Sequence, residues 1–150
     1  MNFKHILAPT DFSTDSDRAL QVAVDFARSS GATLTLLTVV PDWVIPPDLH
    51  PMMPENYDTE SFRSGLKDEA EKKLAERQKT VEGCTVNSVA LLSSANPATE
   101  IVGFAKKNGV DLIVVASHGR GAVERLILGS ITQKLIHSGP CPILVVPYRP

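Results

Sequence analysis

The sequence predicts an α/β fold built on a parallel sheet, and three observations carry that reading. Short β-branched apolar runs alternate along the chain with segments of helical period, the order that βαβ crossovers impose. One run, VDLIVVA at Val110–Ala116, is apolar without interruption, as in strands covered on both faces. The segments between the runs carry helix-capping residues and glycines.

Taken in order, Phe3–Pro9 (FKHILAP) reads as a first buried strand. The cluster TDFSTDS follows, rich in residues that cap helices. Ala19, Leu20, Ala23, Val24, Phe26 and Ala27 then recur at helical spacing, and Gly31 stands at a C-cap position. Ala32–Val40 reads as a second strand. Pro41–Tyr57 holds five prolines, which argues against regular structure, and its length suits a flap or a partner surface. Thr59–Glu82 is strongly charged, with Phe62, Leu66, Ala70 and Leu74 on one stripe, so an amphipathic helix with a solvated outer face is expected. Thr85–Leu92 reads as a third strand. Pro97 fits the first turn of a helix that turns Ile101, Val102 and Ala105 inward and stops near Asn108-Gly109. Val110–Ala116 is the fourth strand, a further helix opens near Gly129-Ser130, and Cys141–Tyr148 (CPILVVPY) is the last strand.

The 150 residues suit one domain spanning 1–150, and 43% apolar with 21% charged residues is the composition of a soluble globular protein. The net charge of −2, without a basic run, argues against nucleic-acid or anionic-membrane partners. No apolar stretch approaches the roughly 18 residues of a membrane span. The N-terminus lacks signal-peptide features. Cys84 and Cys141 have no metal-binding spacing and read as buried, reduced thiols, so a cytoplasmic location is expected.

Parallel sheets bind ligands beyond the carboxyl ends of their strands. Here those ends are Pro9–Asp11, Thr38–Val40, the Leu92–Ala95 loop and Ala116–Gly119. Gly129-Ser130 supplies a helix N-terminus, Gly119 and Gly121 allow close backbone approach, and Arg120 adds a fixed positive charge. These residues form either a phosphate cradle or a plain connection with Ser130 as N-cap; the stretch alone leaves both open. Asp11 can accept from a base amino group or a ribose hydroxyl, or hold a metal, but Asp11, Ser13 and Asp15 are equally candidates for capping the first helix. His118 reads as ordering its loop. No G-x-S-x-G elbow, nucleophile–base pair or Gly-Lys-Ser/Thr motif is present, so no catalytic residue is assigned. His5, His50 and His137 show no metal-ligand spacing. The apolar last strand belongs at a sheet edge, where Ile143–Val146 can meet a second copy, so a homodimer through Pro142–Pro147 is expected.

Five segments, ILAPTDFS (Ile6–Ser13), NPATEIV (Asn96–Val102), VDLIVVASHGR (Val110–Arg120), LILGSIT (Leu126–Thr132) and CPILVV (Cys141–Val146), together resemble the universal stress protein family along essentially the whole chain. The resemblance implies a Rossmann-like sheet of five parallel strands in the order 3-2-1-4-5 with helices on both faces, and a homodimer. In one branch it implies ATP, or another adenine nucleotide, bound with Mg or Mn; the other branch acts through protein–protein contacts.

The nucleotide-binding branch carries Gly, two residues, Gly, nine residues, then Gly-Ser or Gly-Thr. Here those positions are Ala116, Gly119 and Gly129-Ser130. By the same resemblance Asp11 and Val39 face adenine, with Pro9 and Thr10 beside them. Val115 and Ala116 approach the base and ribose, while Gly119, Gly129, Ser130 and Ile131, with Arg120 nearby, hold phosphates. The protein alone offers no metal site, although Asp11 could reach a metal carried by the nucleotide. Two departures, Ala95 and Ala116, each add a methyl group where the family often has glycine, and both are expected beside the crevice. Related folds that cleave ATP between its α- and β-phosphates carry an SGGxDS loop. This chain has PTDFSTDS there, which leaves at most slow, metal-assisted hydrolysis.

Overall fold

Capping chemistry sets where most of the helices begin. In the computed structural model, which describes residues 2–42, 47–54, 57–119 and 128–148, helix α1 (Thr14–Ser30) starts where the Ser13 side chain accepts from the Ser16 N–H. It ends at Gly31, whose φ of 69° only glycine adopts without strain. Helix α2 (Thr59–Lys79) is capped by Asp58, which accepts from the N–H groups of Glu60 and Ser61. Helix α3 (Pro97–Lys107) is capped by Asn96, with Pro97 in its first turn. Helix α4 (Ser130–Ser138) differs: its N-cap is Gly129, and no side chain among the described residues caps it.

Five parallel strands, β1 (His5–Pro9), β2 (Thr33–Pro41), β3 (Val86–Ser93), β4 (Leu112–Ala116) and β5 (Ile143–Val146), form one sheet in the order β3-β2-β1-β4-β5. This is the order the family resemblance implied. Strand parity divides the core in two. Ile6, Ala8, Leu34, Leu36, Leu112, Val114 and Ala116 pack with α1 and with Ala70 and Leu74 of α2. Leu7, Leu37, Ile113 and Val115 pack on the opposite face with α3 and with Leu135 of α4. β1 and β4 are therefore closed on both sides, and every residue of β4 is buried.

Several expectations need correction. Pro41–Tyr57 is not wholly irregular: Pro41 closes β2, and Pro47–Met52 forms a short 3-10 helix, whose first turn needs no donor from Pro47. Residues 43–46 and 55–56 of that segment lie outside the described residues. Phe26 is not on the buried stripe of α1 but 37% exposed, set edge-on against Phe3. Phe62 is likewise exposed, because the first turns of α2 lie beyond the part seated by Ala70 and Leu74. β4 starts at Leu112 rather than Val110, since Asp111 turns its carboxylate to the N–H groups of Lys4 and His5. Cys84 and Cys141 are free thiols but only partly buried; that burial still raises both pKa values above the usual thiol range. Among the described residues no helix is long and apolar enough to cross a membrane.

Candidate functional site

The order of the strands reverses between β1 and β4. The chain runs from β1 outward to β2 and β3, then returns to the other side of β1 for β4 and β5. Connections leave the two central strands toward opposite faces, which opens a crevice at their carboxyl ends.

The β1 side of the crevice is a tightly bonded turn. Pro9 and Thr10 are buried, and the Thr10 N–H donates to Leu37 O at 2.8 Å, carrying the β1–β2 pairing one step past the strand. Thr10 Oγ1 accepts the Phe12 N–H at 3.0 Å and lies 3.0 Å from Ser16 Oγ. Asp11 Oδ1 accepts from both the N–H and the hydroxyl of Ser13, at 3.0 and 2.5 Å. Of the three candidate caps, Ser13 is the one that caps α1, and Asp11 holds Ser13 in place. Asp15 instead lies 3.7 Å from Arg18. Val39, two residues beyond the β1 register, is partly exposed on the α3–α4 side of β2.

The β4 side meets this turn directly. A Cβ placed on Gly119 would stand 2.6 Å from Asp11 Oδ2, so a side chain there would have to move the Asp11 carboxylate. The Gly129 N–H donates to Ser117 O at 2.8 Å, and Thr132 Oγ1 donates to Ala116 O at 2.9 Å. Two bonds thus dock the first turn of α4 on the end of β4. Ser130 is exposed and Ile131 partly buried at that end. The first N–H groups of a helix lack intrahelical partners. Among the described residues no side chain caps α4, and no acidic residue occupies its first turn; α1, α2 and α3 each have both. Among the described residues nothing caps the positive end of the α4 dipole, the kind of terminus that attracts anions.

His118 orders its loop, as the sequence suggested. Its Nδ1 lies 2.8 Å from Ser117 Oγ, which accepts the Tyr148 N–H at 3.0 Å, so the β4 loop is tied to the end of β5. Arg120 and Gly121 lie outside the described residues. Ala116 and Val115 both end buried β4, on opposite faces.

The two alanine departures read differently in three dimensions. Ala116 is not at positive φ, and its methyl packs in the core shared with α1 while α4 stands on the other face. Parity along β4 turns that methyl toward α1, away from the face on which α4 packs. Ala95 follows β3, which is separated from β1 by β2, so at the usual strand spacing it lies about 10 Å to the side. Sequence reasoning missed Ser117, Thr132 and Gly129 N–H as the ties between β4 and α4. The Thr132 hydroxyl in LILGSIT, three residues past Gly129, was the available signal.

The chain matches the universal stress protein family over residues 2–147. It is 33% identical over 146 residues to universal stress protein MJ0531 of Methanocaldococcus jannaschii, covering 96% of this chain and 82% of the relative. Among solved structures it is similar to hypothetical protein MJ0577 of the same organism, at 29% identity and a TM-score of 0.80, with 99% of each chain covered. The fold also matches a universal stress protein of Archaeoglobus fulgidus in complex with dAMP, at 20% identity and a TM-score of 0.68, with 97% and 98% of the chains covered.

The glycine environments separate two substitutions. Gly119→Ala is expected to displace the Asp11 carboxylate and lower stability by about 1–3 kcal/mol, the usual range for an added group that forces a shift. Gly129→Ala, whose Cβ would meet its nearest neighbour at 3.4 Å, is expected to cost about 1 kcal/mol or less, the difference between glycine and alanine at an N-cap. Urea unfolding of the two variants checks the order; equal losses would contradict it.

Proposed function

The chain belongs to the universal stress protein family, and from that membership and the crevice we propose a binding role: a homodimer that takes ATP or another adenine nucleotide between β1 and β4. The observation that carries this reading is the N-terminus of α4, which among the described residues has no side-chain cap and has no acid in its first turn, and which faces the close approach of Asp11 and Gly119. On this reading Gly119, Gly129, Ser130 and Ile131 receive the phosphates through backbone N–H groups, with Arg120 supplying charge. Pro9, Thr10, Val39 and Val115 shape the base end. The Asp11 carboxylate accepts from the exocyclic amino group or a ribose hydroxyl. Ala116 contributes its backbone rather than its methyl.

An adenine ligand is supported by the dAMP complex of the Archaeoglobus relative. Among the described residues no three His, Cys, Asp or Glu side chains gather to hold a metal. On this reading a Mg or Mn ion arrives with the phosphates, where the Asp11 carboxylate could reach it. The role is binding rather than turnover, and occupancy is read by partners through the Pro41–Tyr57 segment, which begins at the last residue of β2 and exposes Leu49 and Met52.

Calorimetry with ATP and Mg²⁺ is expected to show one site per chain. Ala116→Gly is expected to change that affinity by less than about threefold, under 1 kcal/mol. Absence of binding in both proteins would reject the nucleotide reading. A large gain in Ala116→Gly would show that the methyl does reach the ligand.

The dimer is proposed to form through β5. It is an edge strand, and all four of its residues are partly exposed, on both faces. Ile136 of α4 is 48% exposed nearby in sequence. Light scattering should give twice the chain mass of 16.2 kDa, and Leu144→Glu should halve it; a Leu144→Glu protein that stays dimeric would place the interface elsewhere.

A further inference from the structure

Phe12 directly follows Asp11 and has a φ of 65°, the one non-glycine positive φ among the described residues. A bulky side chain is strained there, and such a conformation persists only where the surroundings over-determine it. The surroundings include a residue from another helix. Arg77 Nη2 donates to the Phe12 carbonyl at 3.2 Å, and the guanidinium lies over the Phe12 ring, 4.9 Å from its centroid. Arg77 also forks onto Asp17 of α1, with Nε at 2.7 Å from Oδ1 and Nη2 at 3.3 Å from Oδ2. Lys73, one turn earlier on α2, brings a second cation to within 5.8 Å of the same ring centroid. One arginine thus binds the carbonyl, the ring and the following helix of a turn 65 positions away in sequence.

The consequence reaches Asp11. Its carboxylate is held by Ser13 across Phe12, so the φ of Phe12 determines whether Asp11 Oδ1 can meet the Ser13 N–H and hydroxyl. It also determines where Oδ2 stands against Gly119. If Phe12 relaxed to negative φ, the direction of the chain between Asp11 and Ser13 would change and both contacts would be lost. We propose that Arg77 is a positioning residue for the crevice: by holding Phe12 in the left-handed conformation it fixes the Asp11 carboxylate and so sets the affinity for an adenine nucleotide. The inference rests on the nucleotide reading above. It assigns to an outer-helix arginine a role in binding without contact to the ligand.

The test is a double-mutant cycle on ATP affinity in the presence of Mg²⁺, using the full chain, Arg77→Ala, Asp11→Ala and the double variant. The Gly119 amide resonance of the ligand-free proteins is recorded alongside. Arg77→Ala is expected to weaken ATP about tenfold, the scale of releasing one strained backbone conformation. In the Asp11→Ala background the same change should have an effect below about twofold, because Arg77 acts through Asp11. The Gly119 resonance should move in Arg77→Ala although residue 77 does not touch Gly119. An Arg77→Ala protein that binds ATP as the wild type does would overturn this inference and leave the nucleotide reading standing. Losses that multiply in the double variant would also overturn it, because they indicate a general structural effect. Failure of the wild type to bind ATP would overturn both. If Arg77→Ala does not fold, Asp17→Asn loosens the same fork at a partly exposed carboxylate and should weaken ATP in the same direction by a smaller factor; no change there counts against the inference.

Discussion

The two-sided burial of β1 and β4 is the constraint on which the rest of the structure depends. From Ile6 to Pro9 in β1 and throughout β4 every side chain is apolar, in keeping with the cost of an unpaired buried donor or acceptor. Polar chemistry is therefore pushed to the strand ends. At the end of β1 it appears as Thr10 and Asp11, and at the end of β4 as Ser117 and His118. Since the two strands are parallel neighbours, those ends lie side by side. The crevice follows from the burial pattern before any ligand is considered.

What gives the crevice its chemical preference is an asymmetry among the helices. Ser13, Asp58 and Asn96 satisfy the first N–H groups of α1, α2 and α3, and each of those helices adds acid in its first turn. α4 is joined to β4 by Gly129 N–H and by the Thr132 hydroxyl, which donate to the carbonyl groups of Ser117 and Ala116 at the end of the strand. Those two bonds hold the first turn of α4 against the end of β4. On the proposed reading, a helix terminus with no described side-chain cap, beside a carboxylate, receives a ligand that is anionic at one end and rich in donors at the other, as an adenine nucleotide is.

Much of the fold was legible in the sequence because its signals are local. The uninterrupted run Val110–Ala116, the cap residues before α1 and α3, and the glycine after α1 each act within a few residues. The site was legible as a set of strand ends, but its inner logic was not. Ala116 looked like an intrusion because the family position is often glycine; whether its methyl faces a ligand depends on which side of the sheet α4 packs, and that is set by tertiary structure. Arg77 carried no signal at all. It sits among alternating charges on a helix whose outer face is solvated, and nothing in its neighbours distinguishes it from Lys72 or Lys79. Its partners, Phe12 and Asp17, are 65 and 60 positions away. Phe12 itself reads as an ordinary aromatic residue, since a positive φ at a non-glycine residue leaves no mark in composition or period.

The central claim is that one crevice, bounded by the β1 turn, Gly119 and the α4 N-terminus, receives the nucleotide. A crystal structure of the protein grown with ATP and Mg²⁺ tests it most directly. The account predicts density for the base between Asp11 and Val39 and for the phosphates against Gly119, Gly129 and Ser130, with the Ala116 methyl still in the core. Nucleotide density at another surface, or an empty crevice under saturating ATP, would contradict it.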